Sequence, residues 1–216
     1  FAATGQTCMA GSRLLVERSI HDEFVARLVE FARTARLGDP LDSQTNVGPV
    51  STPPQLDKVL QYIDIARNEG ATCVLGGERS RRPGCEKGLF VEPTIFTGVH
   101  NRMRIAQEEV FGPLLVVIPF DTEDEAVAIA NDTAYGLAAG VWTRDLERAM
   151  TMPKRLQAGT VWVNEYRVVS YLAPFGGVKA SGLGRENGLR AIHEYLEPKS
   201  VFINPRPGIA NPFVLG

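Results

Sequence analysis

One cysteine, Cys8, lies near the start of the chain among small and polar residues, just before an apolar run at residues 14–16. A thiol held at a backbone turn, with free amide N–H groups around it, can be ionised and can attack a carbonyl carbon. The competing interpretation is a small core residue, because free cysteines are among the most buried side chains. The residues around Cys8 decide between the two.

Residues 1–13 read Phe-x-x-x-Gly-Gln-x-Cys-x-Ala-x-Ser-Arg. This pattern resembles the nucleophile signature of the NAD(P)-dependent aldehyde dehydrogenases, with seven residue types fixed within thirteen positions. Further stretches similar to motifs of that family follow at residues 108–113, 131–137, 159–164 and 174–186. The resemblance covers roughly the C-terminal two-fifths of such an enzyme, so we expect the chain to be a piece of a longer polypeptide.

The resemblance implies a reaction in which Cys8 is the nucleophile. Its thiolate adds to an aldehyde carbonyl, the thiohemiacetal gives a hydride to the nicotinamide of NAD or NADP, and water releases the thioester as an acid. The backbone N–H of Cys8 is the natural donor to the developing oxyanion. In the family, a second donor (an asparagine) and the glutamate that activates water both precede the cysteine and are not in this chain. We therefore expect this chain to be inactive alone.

Two residues match cofactor positions of the family. Glu109 matches the glutamate that accepts hydrogen bonds from the nicotinamide ribose hydroxyls, a role that suits an acceptor-only carboxylate. Phe111 matches the aromatic residue beside the nicotinamide ring. The alternative for this stretch is a loop that buries a phenylalanine as a plug.

Five residues match positions near the aldehyde. Thr7, Met9 and Val169 correspond to variable positions that line the substrate tunnel in the family. Phe175 resembles an aromatic wall of that tunnel, although a phenylalanine beside a tight turn is also a common core residue. Asn164 follows an expected strand, and open α/β sheets bind ligands at the carboxyl ends of their strands. We expect Asn164 to neighbour the site without taking part in the chemistry.

The glycine-rich stretch 182–188 nearly spells a dinucleotide-binding fingerprint. Its third glycine falls one place late, however, and no strand directly precedes it. We predict turns there, and the resemblance places the diphosphate of NAD on another domain. The polar and basic loop 76–88 is predicted to be solvated. A phosphate site there is a weaker alternative, because its arginines have no glycine-rich helix start to work with.

Strand and helix patterns alternate along the chain. Nearly continuous apolar strands between helices indicate an α/β fold, an open and mostly parallel sheet with helices on both faces. Helices are predicted to begin at the capping residues Ser19, Thr52 and Thr122 and at Asp145, and Pro153 should kink or shorten the last of them. Strands are predicted at residues 71–75, 90–96, 114–120, 137–142, 160–163 and 200–203, and a final helix at residues 189–196.

We assign residues 1–196 to a catalytic domain and residues 197–216 to a C-terminal strand and tail. In the family, the catalytic domain packs against a separate NAD-binding domain, and a terminal strand that matches residues 200–204 joins the oligomerisation surface. The resemblance therefore implies a homo-oligomer, either a dimer or a tetramer.

Composition excludes several classes of partner. With 216 residues and a formal net charge of -2, the chain gives no electrostatic reason to expect nucleic acid or an anionic membrane as a partner. No apolar run approaches the ~20 residues that cross a bilayer. Cys8, Cys73 and Cys85 form neither a metal-ligand spacing nor an even-numbered disulfide set, so we expect no metal and a reducing, cytoplasmic compartment. The expected partner is a small-molecule aldehyde.

Three other functions stay open from the sequence. A CoA-acylating member of the family would release the thioester to CoA in place of water. A thiol esterase would use the same cysteine without a cofactor, and a non-enzymatic assembly module would keep only a vestigial site. A cysteine–histidine pair is a weak alternative, because His21, His100 and His193 lie apart from Cys8 in sequence.

Overall fold

The computed structural model describes residues 1–206, 208 and 213, and its strands form two sheets. The strands span Arg13–Glu17 (β1), Thr72–Leu75 (β2), Thr94–Thr97 (β3), Leu114–Phe120 (β4), Ala138–Val141 (β5) and Thr160–Val163 (β6). The larger sheet has the order β1-β4-β3-β2, in which β4 is parallel to β1 and β3, and β2 is antiparallel to β3. The smaller sheet pairs β5 and β6 in parallel.

Helices separate most of these strands. The α-helices span His21–Arg33 (α1), Pro53–Asn68 (α2), Arg104–Gln107 (α3), Glu123–Asn131 (α4) and Leu146–Arg155 (α5). Short 3-10 helices span Ala2–Gly5, Arg18–Ile20, Lys179–Ser181 and Leu189–Tyr195. The predicted α/β class with a mostly parallel sheet is confirmed, and its described strands divide into a group of four and a pair.

Helices cover both faces of the larger sheet, as predicted. Successive residues of a strand point to opposite faces, so Val116 and Val117 of β4 enter different cores. Val116 belongs to the core that includes Val59 and Ile63 of α2, whereas Val117 packs with Ala32 of α1. Each such fully buried valine or isoleucine contributes about 1.5–3 kcal/mol relative to an exposed one.

Three of the four predicted helix starts are confirmed. The side chains of Thr52, Thr122 and Asp145 each accept a hydrogen bond from the backbone N–H three residues further on. The start predicted at Ser19 is wrong, because its hydroxyl donates to the carboxylate of Glu17 at 2.9 Å and α1 begins only after a 3-10 turn.

The C-terminal segment differs from the prediction. Residues 189–195 form a helix of the 3-10 type where a helix over residues 189–196 was predicted, whereas residues 200–204 form no strand. A strand needs a neighbour that satisfies its backbone N–H and C=O groups, and the described residues provide none there. An oligomer contact for residues 197–216 stays a prediction, of which residues 207, 209–212 and 214–216 lie outside the described residues. Pro153 lies inside α5, which ends two residues later at Arg155.

Candidate active site

Cys8 lies at a tight backbone turn. A 2.9 Å hydrogen bond from the N–H of Ala10 to the carbonyl of Thr7 closes the turn, with Cys8 and Met9 at its two central positions. The Cys8 side chain is exposed. In this chain Cys8 is therefore not a core residue, and its sulfur is open to a reactant.

The segment before the turn is fixed against two other parts of the chain. The Cα of Gly5, at a φ of +68°, approaches the backbone of Gly112 so closely that a β-carbon there would lie 2.0 Å from the Gly112 oxygen. The side-chain oxygen of Gln6 accepts a 3.0 Å hydrogen bond from the N–H of Ser51. The Gly-Gln pair of the motif thus has a structural reason, because it seats the cysteine turn beside residues 111–113.

The segment after the turn is fixed by Tyr166, which lies three residues beyond β6. The Tyr166 hydroxyl accepts a hydrogen bond from the N–H of Gly11 and donates one, at 2.7 Å, to the carbonyl of Met9. Its ring meets Trp162 edge-on, with 5.6 Å between ring centroids, and lies at a tilt to Trp142 at 6.2 Å. An aromatic cluster therefore connects the smaller sheet to the cysteine turn.

Helix α2 holds the main chain of the predicted cofactor residues. The side-chain amide of Gln55 donates to the carbonyls of Val110 at 2.7 Å and Phe111 at 2.9 Å. The ammonium of Lys58 donates to the carbonyl of Glu109 at 2.7 Å. These bonds hold Phe111 at a positive φ of 58°, a conformation that costs a non-glycine residue energy and persists only under such constraint.

The side chains of Glu109 and Phe111 stay free. Phe111 is 36% exposed, which excludes a buried plug, and the exposed Glu109 carboxylate has no hydrogen-bond partner among the described residues. The free Glu109 carboxylate can accept hydrogen bonds from ribose hydroxyls, and the exposed Phe111 ring two residues away can contact a nicotinamide ring.

Glu108, the neighbouring carboxylate, is fully engaged. It accepts hydrogen bonds from Arg104 at 2.7 and 3.0 Å and from the hydroxyl of Tyr62. The bond from Arg104, followed by that from Tyr62, lowers the pKa of Glu108 from its ordinary 4.5 to about 2. Burial, and then the bond to Glu108, raises the pKa of Tyr62. Glu108 is thus a structural anion that ties α3 to α2.

Asn164 directly follows β6, at the carboxyl end where it was expected. Its backbone has a positive φ of 53°, and its side chain uses both polar atoms on Thr143, with Oδ1 accepting at 2.9 Å and Nδ2 donating at 2.8 Å. Asn164 therefore ties together the ends of β5 and β6. It lines an open cleft of about 520 Å³ with Trp142, Thr143 and Arg144.

The other predicted substrate residues are only partly brought together. Thr7 and Met9 flank Cys8 in the turn, and the hydroxyl oxygen of Thr7 is buried with no hydrogen-bond partner among the described residues. Val169 is half exposed on the loop that begins after β6. Phe175 exchanges two 2.7 Å backbone hydrogen bonds with Glu186, which places it in a different part of that loop region. Their roles in substrate binding stay predictions.

The glycines of residues 182–188 serve turns, as predicted. Gly182, Gly184 and Gly188 all have positive φ, between 64° and 108°. A 3-10 helix follows them, so no α-helix N-terminus is present to receive a diphosphate. In the basic loop, Arg82 is bound to the carboxylate of Glu92 at 2.6 Å and serves the fold.

Sequence reasoning missed two residues of this site, Tyr166 and Gln55. Tyr166 follows the Trp-Val-Asn motif by two positions, but nothing in its spacing relates it to residues 9–11. Gln55 was recognised only as part of a helix start. Their contacts join positions 155 or more residues apart for Tyr166 and about 55 apart for Gln55, which local patterns do not reveal.

Two kinds of feature are missing from the described part of the chain. No group of three or more His, Cys, Asp or Glu side chains there could hold a metal ion. No helix within it has the length and apolar character to cross a membrane.

Residues 1–201 match the model of the aldehyde dehydrogenase family. A betaine aldehyde dehydrogenase of Mesorhizobium japonicum is 48% identical over 213 residues, which are 99% of this chain and 44% of that protein. A betaine aldehyde dehydrogenase of Cereibacter sphaeroides is 50% identical over 207 residues, or 96% of this chain and 42% of that protein. The chain thus spans less than half the length of these relatives.

Solved structures give the same result. The crystal structure of betaine aldehyde dehydrogenase from Staphylococcus aureus in complex with NAD+ superposes with a TM-score of 0.93 at 43% identity, covering 98% of this chain and 42% of that one. A variant of that enzyme, with NAD+ bound and one cysteine modified by BME, gives a TM-score of 0.94 with the same identity.

Proposed function

The chain belongs to the aldehyde dehydrogenase family, and on that basis we propose that it supplies the nucleophile and part of the cofactor site of an enzyme that oxidises an aldehyde to a carboxylic acid with NAD+ or NADP+. One observation supports this most directly. The exposed thiol of Cys8 lies in a turn whose next residue, Met9, is hydrogen-bonded to Tyr166, and Gly5, three residues before Cys8, lies against the backbone of Gly112, the residue after Phe111.

Cys8 carries the covalent steps. Its thiolate sulfur forms a bond to the aldehyde carbon, and the carbonyl π electrons move to the oxygen, where the backbone N–H of Cys8 can donate. NAD+ or NADP+, when bound, supplies the hydride acceptor that takes the aldehyde hydrogen. The acyl group then stays on the Cys8 sulfur as a thioester. Attack by water breaks the carbon–sulfur bond, releases the acid and returns the thiol.

Glu109 and Phe111 would hold the nicotinamide end of the cofactor. Glu109 offers two carboxylate oxygens with no competing partner among the described residues, so ribose hydroxyls can donate to them. Phe111 offers a partly exposed ring that can limit the position of the nicotinamide. The Gln55 and Lys58 bonds keep both residues in place before the cofactor arrives.

The relatives support a first choice of substrate. Both are named betaine aldehyde dehydrogenases, so betaine aldehyde is the first aldehyde that we propose, with Thr7, Met9, Asn164, Val169 and Phe175 around it. We propose a homo-oligomer in a reducing, cytoplasmic compartment, and the three free thiols of Cys8, Cys73 and Cys85 support that compartment.

The experiment compares Cys8→Ala with Cys73→Ala in the protein expressed with its native flanking sequence. NADH or NADPH formation is followed by absorbance with betaine aldehyde and with an uncharged aldehyde of similar size. We expect activity to be lost in Cys8→Ala and kept in Cys73→Ala, whose thiol donates to the Leu75 carbonyl at 3.2 Å, away from the cysteine turn. The chain of residues 1–216 by itself should form no reduced cofactor.

Other outcomes point to the rival functions. Activity of Cys8→Ala equal to that of the unmodified protein would contradict the proposal. Reduced cofactor formed only when CoA is added would identify an acylating enzyme. Cysteine-dependent hydrolysis of p-nitrophenyl acetate without any aldehyde oxidation would identify an esterase.

A further inference from the structure

The Tyr166 hydroxyl forms hydrogen bonds to the residues on either side of Ala10, where the chain leaves the cysteine turn. It donates to the carbonyl of Met9, the residue directly after Cys8, and it accepts from the N–H of Gly11. One oxygen atom therefore uses both its donor and an acceptor position on the main chain within three residues of the thiol. No other side chain among the described residues makes hydrogen bonds to the main chain of Met9 or Gly11.

The ring that carries this hydroxyl is itself held in place. Trp162 meets it edge-on at 5.6 Å, and Trp142 lies at 6.2 Å on β5's side. The indole N–H of Trp162 donates to the carbonyl of Val168 at 2.8 Å, which anchors the loop on which Tyr166 sits. Edge-to-face aromatic pairs are favourable contacts, and together with the two hydrogen bonds of the hydroxyl they hold the Tyr166 side chain in place.

The glycine at position 11 fits this contact. A β-carbon at Gly11 would lie 3.1 Å from the Tyr166 oxygen and 3.8 Å from the ring carbon that carries it. Gly11 does not have a positive φ. Its lack of a side chain is therefore explained by the approach of Tyr166 and not by backbone strain.

We propose that Tyr166 is a positioning residue for Cys8. Its hydroxyl sets the orientation of the peptide groups on either side of Ala10 and thereby the direction of the Cys8 sulfur and of the Cys8 N–H relative to an incoming carbonyl. This inference rests on the proposed function. Tyr166 itself touches neither substrate nor cofactor in the chemistry derived above.

The test uses Tyr166→Phe in the protein with its native flanking sequence, because this change removes one oxygen and keeps the ring. Tyr171→Phe is the matched control, since it removes a hydroxyl from the same loop that has no hydrogen-bond partner among the described residues. We expect kcat of Tyr166→Phe to fall by roughly tenfold to a hundredfold, the scale of a small misplacement of a reacting group, with KM changed less than about twofold. Tyr171→Phe should keep kcat within about twofold of the unmodified value.

A second variant separates positioning from a loss of folding. Gly11→Ala leaves the hydroxyl in the protein but displaces it, so kcat should fall although Tyr166 is present. In the Tyr166→Phe background the methyl group of Gly11→Ala has no hydroxyl oxygen to displace. Adding Gly11→Ala there should therefore lower kcat by less than about twofold more. The far-UV circular dichroism spectrum and the molar yield of Cys8 alkylated by iodoacetamide should match those of the unmodified protein in both single variants.

The outcomes are distinguishable from failure of the proposed function. If Cys8→Ala stays active, the proposed function is wrong and this inference falls with it. If Cys8→Ala is inactive but Tyr166→Phe keeps its kcat within about twofold, only the positioning role is overturned. Fully multiplicative effects of Gly11→Ala and Tyr166→Phe, or an equal loss of kcat in Tyr171→Phe, would also overturn it.

Discussion

Gly5 and Gly112 are in backbone contact, and a β-carbon on Gly5 would lie 2.0 Å from the Gly112 oxygen and 2.6 Å from its carbonyl carbon. This contact joins the segment that carries the thiol to the segment that carries Phe111. The segments that carry the proposed nucleophile and the proposed cofactor residues therefore meet at this backbone contact, and we expect a change at Gly5 to disturb both.

Gly5→Ala should be strongly destabilising. The new methyl group collides with backbone that cannot rotate away, and alanine at a φ of +68° is strained in addition. We expect the free energy of unfolding in urea to fall by at least about 2 kcal/mol. Gly70→Ala is the control, because Gly70 has a φ of +97° with no atom near its missing β-carbon, and it should cost only about 1 kcal/mol. Equal losses would show that the contact with Gly112 carries no energy.

Glu108 should make stability depend on acidity. Its folded-state pKa of about 2 lies below its ordinary 4.5, so the stabilisation from its ionised form is complete above pH 4.5 and disappears as the pH falls through about 2. Because its side chain is 42% exposed, solvent screening limits the effect to about 1 kcal/mol or less. Measured by urea unfolding, the free energy of unfolding should decrease more steeply between pH 5 and pH 2 for the unmodified chain than for Glu108→Gln. Tyr62→Phe removes one of the bonds to Glu108, so its pH dependence should lie between those two.

Glu109→Gln should weaken cofactor binding. An amide offers one acceptor oxygen where the carboxylate offers two charged ones, so we expect the Kd for NAD+ to rise roughly tenfold, the equivalent of losing one charge-assisted bond. Fluorescence titration of the protein with its native flanking sequence measures this. Glu30→Gln on α1 is the control and should leave the Kd unchanged. An unchanged Kd in Glu109→Gln would remove Glu109 from the cofactor site.

Thr7→Val should leave the stability of this chain unchanged or raise it by up to about 1 kcal/mol. The hydroxyl oxygen of Thr7 is buried and unpaired within the described residues, so its removal relieves a desolvation cost. Thr94→Val is the contrast, since the Thr94 hydroxyl accepts from the N–H of Gly77 at 2.9 Å and donates to the backbone carbonyl of Glu92 at 2.7 Å. The free energy of unfolding of Thr94→Val should be about 1–3 kcal/mol lower than that of the unmodified chain. Equal losses in urea unfolding would mean that Thr7 has a partner.

Local sequence signals predicted the elements whose stabilising contacts are local. The caps at Thr52, Thr122 and Asp145 bond within one helical turn, and β4 is an apolar run whose neighbours all fit the parallel arrangement. Ser19 has the same residue type as a good cap, but its hydroxyl bonds backwards to Glu17, a choice that the sequence leaves open. Residues 200–204 have a strand-like pattern and no partner in the described residues, so their pattern alone does not produce a strand.

The position of a site residue could be predicted where a sequence motif coincides with a local turn. It could not be predicted where the residue's environment depends on segments that are distant in sequence. The thiol of Cys8 was expected at a bend, and the turn from Thr7 to Ala10 provides it. The different environments of Glu108 and Glu109 were not expected, because they depend on Arg104, Tyr62 and Lys58. Periodicity reports which face of a helix is buried but not which carbonyl a lysine or glutamine on that helix will reach.

The Tyr166–Met9 contact also has a consequence for the order of folding. It closes a loop of 157 residues, and the entropy cost of closure grows with loop length. Because this cost must be met before the contact stabilises the fold, we expect the contact to form after the helices and the local strand pairs. When the protein with its native flanking sequence refolds, its secondary structure should therefore return before the Cys8 sulfur is correctly oriented, and recovery of activity should lag behind recovery of circular dichroism.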